Sequence, residues 1–249
     1  GGQGYIVRAP NGFSNTVNQN WTVTFTNGVP NNGVFTPTIS RGNDLGAGTV
    51  GVNGVMRSAN DDNWNLLGNP YPSAISINSF LLANPELDGF VRLWTHGTLP
   101  SNTNSDPFYN NYASNYSAAD YVTINGSGAT SGPGTLSVIG GGQGFFVLMN
   151  PGVATSSTAI FNNAMRNNIY SNSQFYREAN PLGQDSEVET ERHGIWLDLV
   201  SPTNETTRTL VAYVQGATIA KDRMFDALTS YKTSQNFYSL IGDEIMAIQ

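Results

Sequence analysis

No stretch of this chain sustains a helical hydrophobic period for long, because 27 glycines and 12 prolines, with runs of Asn, Ser and Thr, break its 249 residues into short pieces. What survives between the breaks is strand-like. Trp21-Thr22-Val23-Thr24-Phe25-Thr26 alternates apolar and polar side chains with period two. Trp64-Asn65-Leu66-Leu67, Phe90-Val91-Arg92-Leu93-Trp94 and Ile195-Trp196-Leu197-Asp198-Leu199-Val200 are aromatic or aliphatic runs of strand length. Residues 4–8, 34–39, 121–124, 135–139, 145–149, 209–214, 237–240 and 245–248 read the same way, and 49–56 alternates valine with glycine. Asn27-Gly28 and Asn31-Asn32-Gly33 supply turns, since Asn and Gly tolerate positive φ.

Only one short helix is expected, over residues 76–82, where Ile77, Phe80 and Leu81 fall at i, i+3 and i+4 and Pro85 stops the run. A single helical turn is expected at 222–228. The chain therefore reads as all-β, an antiparallel β-sandwich or jelly-roll-like set of modules joined by long Asn/Ser/Gly-rich loops.

Two stretches lack apolar periodicity. Residues 98–121 are rich in Asn, Ser and Tyr and read as a long loop; residues 180–192, with Glu187, Glu189 and Glu191 alternating, read as a linker. Gly2-Gln3-Gly4-Tyr5-Ile6-Val7 recurs as Gly142-Gln143-Gly144-Phe145-Phe146-Val147, and Phe25 with Asn31-Asn32 recurs as Phe161 with Asn167-Asn168. This suggests one supersecondary unit used twice, its two Gly-Gln-Gly strands equivalent in two related sheets. The expected organisation is residues 1–58 as the end of an upstream β repeat unit, 59–180 as a central β module, and 181–249 as a C-terminal β segment packing on it.

Composition narrows the function. Charged residues are 12%, where a typical soluble domain carries about 25%, so the surface is polar but nearly uncharged. A formal charge of −7 repels phosphate backbones and anionic lipid, which argues against nucleic-acid binding and against membrane-surface attraction. No apolar run approaches the length of a membrane span. Without cysteine there is no disulfide, thiol nucleophile or thiolate metal site.

Few residues form a chemical constellation. His96 and His193 have no nucleophile motif beside them, and Gly126-Ser127-Gly128 lacks the spacing and strand-to-helix setting of a nucleophile elbow. Paired carboxylates are the one catalytic chemistry available, through Asp61-Asp62, Asp106, Asp120 or Glu178, but Asp beside turn signals more commonly caps the turn. No catalytic residue is assigned. Asp61 and Asp62, in Asn60-Asp61-Asp62-Asn63, offer the hard oxygen ligands calcium prefers, so calcium is the one candidate cofactor, although the spacing does not match a calcium-binding loop. Tyr109, Tyr112, Tyr116 and Tyr121 are candidates for stacking on sugar rings; tyrosines that pin a long loop to the body are the commoner case.

The segment Leu66-Leu67-Gly68-Asn69-Pro70-Tyr71-Pro72-Ser73-Ala74-Ile75 resembles proteins of Bacteroidetes exported by the type IX secretion system. In the same order, residues 90–96, Asp120-Tyr121, Gly142-Gln143-Gly144-Phe145-Phe146-Val147, Phe161-Asn162-Asn163-Ala164-Met165-Arg166, Phe175-Tyr176-Arg177, Ile195-Trp196-Leu197, Val211-Ala212-Tyr213-Val214-Gln215-Gly216-Ala217-Thr218 and Tyr238-Ser239-Leu240 look like the region that precedes their C-terminal sorting domain. The resemblance spans nearly the whole chain. It implies a secreted or outer-surface location, the company of neighbouring domains in one parent protein, and contact with the secretion machinery through a sorting domain that this chain does not include. Gliding adhesins and other large surface proteins share the region. No activity comes with it, so the expected function is a non-catalytic structural or adhesive module, with calcium-assisted binding of surface glycans as the alternative.

Overall fold

The structure is a computed structural model that describes residues 1–6, 12, 14, 17, 22, 24, 26, 28–42, 62–95, 120–132, 137–172, 192–202, 204–231 and 235–249. The described elements are β1 (Thr38–Ser40), β2 (Trp64–Gly68), β3 (Ile75–Ser76), α1 (Ile77–Ala83), β4 (Leu87–Trp94), β5 (Tyr121–Asn125), β6 (Gly128–Ala129) and β7 (Val138–Ile139). They continue with β8 (Gly144–Met149), β9 (Ser156–Thr158), β10 (Arg192–Val200), β11 (Thr206–Val214), β12 (Ala227–Leu228), β13 (Ser239–Ile241) and β14 (Glu244–Ile248). The fold is all-β and sandwich-like.

The first five-stranded sheet runs β2-β8-β4-β5-β6, and the second runs β10-β11-β14-β12 with β13 paired to β14. Two small pairs, β1-β9 and β3-β7, complete the described strands. All pairs are antiparallel except β11 with β14, which meet in parallel at Leu210 and Ile248, a departure from the purely antiparallel expectation. The physical reason is the order of the strands: β14 follows β12 and β13, each antiparallel to it, rather than joining β11 through a hairpin.

Strand alternation builds two cores. In β8, Phe145, Val147 and Met149 point to one face, where they meet Ile77, Phe80 and Leu81 of α1 and also Ile39, Ala159 and Phe161. Leu148 points to the other face and joins Phe90, Leu210, Met246 and Ile248 between the two sheets, with Trp64 and Trp196 at the margin. The first sheet is thus covered on both sides, which explains why β4 and β8 are almost continuously apolar.

Helix α1 lies where its spacing predicts. The Ser76 side chain accepts from the Ser79 N–H at 3.2 Å, capping the first turn, and Asn84 ends the last one. Asn84 then reaches outward, donating to the Ile160 carbonyl at 3.0 Å and accepting from the Ile160 N–H at 2.6 Å, which ties the helix end to the segment after β9.

The segment 215–226 clamps the sheets together. Arg223 donates to the carbonyls of Leu81, Asn84 and Leu87 at 2.7–2.8 Å, bracing the end of α1 and the start of β4 together. Gly126 N–H donates to Met224 at 2.9 Å and the Ser127 hydroxyl donates to Phe225 at 2.7 Å, both to carbonyls. β4 passes so close beneath that a Cβ at Gly89 would overlap the Arg223 carbonyl. The expected helical turn at 222–228 is one hydrogen-bonded turn, closed by the Phe225 and Asp226 N–H groups onto Asp222, and β12 follows it.

The repeat is corrected by the structure. Gln3 bridges Leu67 on one edge of β2, while Phe145 faces the same Leu67 from the other edge, so the two Gly-Gln-Gly motifs flank one strand rather than occupying equivalent places in two sheets. Their environments differ too, since Tyr5 is exposed where Phe145 is buried and Ile6 is exposed where Phe146 is half-buried. Close approach to β2 demands a glycine in the first motif alone: a Cβ at Gly4 would lie 2.7 Å from the Leu67 carbonyl oxygen, whereas one at Gly144 would lie 3.7 Å from it, in ordinary contact. The expected strands 21–26 and 49–56, the loop 98–121 and the linker 180–192 lie wholly or mostly outside the described residues.

Candidate functional site

The Asn-Pro-Tyr-Pro-Ser bend carries the densest polar network. Prolines on either side of Tyr71 hold the chain extended as it leaves β2, so the turn must be closed by side chains. Asn69 does this. Its amide nitrogen faces the carbonyls of Ser73, Ile139 and Gly140 at 2.9–3.0 Å, and its oxygen accepts from the Tyr71 N–H at 3.0 Å. Gln143 answers from the other motif: its side-chain oxygen accepts from the Gly140 N–H at 3.0 Å and its carbonyl accepts from the Asn69 N–H at 3.0 Å. Gly142 sits between them at φ +71°, a conformation open to glycine at little cost. The two most distinctive motifs of the sequence therefore interlock.

Tyr71 carries the network outward. Its hydroxyl donates to the Gly33 carbonyl at 2.6 Å, and its ring stands edge-on to Phe35 at 5.7 Å. The Arg166 guanidinium lies 4.8 Å from the ring centroid and donates to Ser73 at 2.7 Å and to Asn32 and Asn163 at 3.1–3.2 Å. Burial raises the Tyr71 hydroxyl above its ordinary pKa, partly opposed by Arg166. These groups mostly face backbone and one another.

A second cluster sits where the sheets join. Asp88 of β4 is 1% exposed, with Oδ1 accepting from the Gly89 N–H at 2.9 Å. Lys221 places its ammonium 3.3 Å from Asp88 Oδ2 and 3.2 Å from Glu244 Oε1. Burial holds the Asp88 carboxyl above the usual carboxylate range despite Lys221, and burial does the same to Asp226, which accepts from the Asp222 N–H.

Of the candidates read from sequence, Tyr109, Tyr112, Tyr116 and Asp61 lie outside the described residues, as does His96. Tyr121 opens β5, partly exposed, with its ring edge-on to Phe146 at 5.7 Å. Asp62 precedes β2 against Gly42, and its Oδ1 is buried without a hydrogen-bond partner. No group of three or more His, Cys, Asp or Glu residues among the described residues is placed to hold a metal. His193 is exposed on β10.

Sequence reading passed over the outer face of β10. There Ile195, Leu197 and Leu199 are 53%, 43% and 40% exposed, and Tyr213 of β11, opposite His193, is more exposed still. The inner face of the same strand is engaged: the Trp196 indole N–H donates to the Ala129 carbonyl at 2.9 Å, and Asp198 holds Arg208 through two bonds of 2.5 and 2.7 Å. The signal was present in the sequence, because a strand apolar at nearly every position implies cover on both faces.

Among the described residues, no helix is long and apolar enough to cross a membrane. No curated protein and no solved structure matches the chain. A family profile does match it, over residues 1–249, and the chain belongs to that family, described as Domain of unknown function (DUF8693).

Proposed function

We propose that this chain is a non-catalytic structural or adhesive module of a secreted or cell-surface bacterial protein exported by the type IX system, and that a neighbouring domain of the same parent protein covers the outer face of β10. The observation that carries this reading is the exposed row of Ile195, Leu197 and Leu199 on a nine-residue strand at the edge of its sheet. Such an edge is an aggregation hazard in an isolated protein and an asset in one that is always attached to a neighbour. The braced motifs agree with it, since Asn69 and Gln143 are occupied by main chain and are not turned toward a ligand. Protease shaving of intact cells of the source bacterium should release peptides of this chain, and screens against polysaccharide and peptide substrates should give no turnover. A reproducible activity abolished by changing one carboxylate would overturn the reading.

Glycan binding is the second reading, favoured by the partly exposed Tyr121–Phe146 ring pair. A glycan array probed with and without calcium decides it. Binding weakened by Tyr121→Ala supports it, and an empty array removes it.

A further inference from the structure

The cluster at the sheet junction has the parts of a self-made covalent link. Asp88 lies in β4 of the first sheet, with its side chain 2% exposed, and Lys221 reaches it from the clamp segment of the second sheet. The two oxygens of Asp88 are held differently. Oδ1 is fixed by the Gly89 N–H at 2.9 Å, while Oδ2 is buried, 3.3 Å from Lys221 Nζ but out of hydrogen-bond alignment with it or any other donor. Glu244 Oε1 accepts a hydrogen bond from the same Nζ at 3.2 Å, from a position still in touch with solvent. The other charged groups around the pair are Arg223, which interacts with Asp88, and Asp226, buried nearby with Asp222 beside it.

We propose that Lys221 and Asp88 join in an intramolecular amide bond, with Glu244 as the proton carrier. Keeping the Asp88 charge buried is costly, and moving one proton from the ammonium to the carboxylate leaves a neutral amine beside a neutral carboxylic acid. Burial of Asp88 favours that protonated form. The Nζ lone pair attacks Cγ, and the negative charge that develops on Oδ1 falls on the Gly89 N–H already bonded to it. Glu244 takes the proton released by Nζ and delivers it to Oδ2, so that the C–Oδ2 bond breaks and one water leaves. The products are one C–N amide bond and one water. Nothing is oxidised or reduced, and no co-reactant is needed.

The link would tie β4 to the clamp segment in a chain without cysteine, restricting the unfolded chain as a disulfide does. It goes beyond the functional reading above and stands or fails separately from it. Intact-mass spectrometry of the full, folded chain tests it, together with sequencing of proteolytic fragments. The wild-type chain should be lighter than its sequence by one water and should yield a branched peptide joining Lys221 to Asp88. Lys221→Arg keeps the charge but cannot form this amide; with a wild-type circular dichroism spectrum it should have its full sequence mass. Glu244→Gln should form the link at least about tenfold more slowly. A folded wild-type chain that keeps its full mass after prolonged incubation overturns the proposal, as does a water loss that persists in Lys221→Arg.

Discussion

The two five-stranded sheets are written in similar residues and meet different fates. In the first, β4 and β8 are apolar on both faces, and both faces are covered, by α1 and the β1-β9 pair on one side and by the second sheet on the other. In the second, β10 is also rich in apolar side chains from Ile195 to Val200, yet its outer face carries exposed Ile195, Leu197 and Leu199 with no covering layer among the described residues. Strand composition thus records how many faces a strand means to bury, while what buries them depends on where the rest of the chain returns. The first sheet is covered on both faces by other parts of the same chain. The second is the face the proposed function assigns to a neighbour.

The comparison breaks most readily at the first core. Phe145 is fully buried, with its ring 5.2 Å from that of Phe80 and 6.3 Å from that of Phe161, so Phe145→Ala should cost about 3–5 kcal/mol in denaturant unfolding. Leu197→Ala on the open face should stay within about 0.5 kcal/mol in the chain alone. Equal losses at the two sites would mean that the outer face of β10 is buried after all.

Gly89→Ala comes next, at about 1–3 kcal/mol, because the new methyl group displaces the Arg223 backbone. The damage should be uneven. Amide exchange should quicken across β10, β11 and β14 more than across β2 and β8, since the clamp is what joins the sheets.

The smallest effect distinguishes the junction from the second sheet's surface by pH. Burial raises the Asp226 pKa, so its folded form holds a proton more tightly than the unfolded chain does, and it costs stability as pH rises from the ordinary carboxylate range through the raised value. Asp226→Asn should therefore stabilise the chain at neutral pH by no more than about 1 kcal/mol, with the gain vanishing in acid. Asp198 runs the other way. Its hydrogen bond to Arg208 lowers its pKa, so its contribution is present above the ordinary carboxylate range and lost as pH falls through the lowered value; exposure limits it to less than about 1 kcal/mol. Thermal melts of Asp226→Asn and Asp198→Asn across pH 3–8 check both signs.

The elements most legible in the sequence were those fixed by local chemistry. Ile77, Phe80 and Leu81 give α1 its spacing, Ser76 caps it, and the runs around Leu67, Phe90, Phe145 and Ile195 form strands because no polar residue interrupts them for long. What depends on distant return was hidden. Arg223 reads as an ordinary charge in a loop until the chain folds it onto the end of α1, 142 positions back at Leu81. Asp88 and Lys221 are likewise remote in sequence, and the Gly-Gln-Gly repeat reads as duplication until the structure sets its two copies on opposite edges of one strand, β2. The Asn69 bend was legible as a turn, but not as the bolt between the two motifs, since only the structure brings Gly140 and Gln143 beside it.

The proposed role of the open face is tested most directly by hydroxyl-radical footprinting of Ile195, Leu197 and Leu199, first in this chain alone and then within its parent protein. The account predicts ready labelling of all three in the chain alone and several-fold protection in the parent, with Phe145 and Leu148 protected in both. Equal labelling of the three β10 residues in the two samples would contradict it.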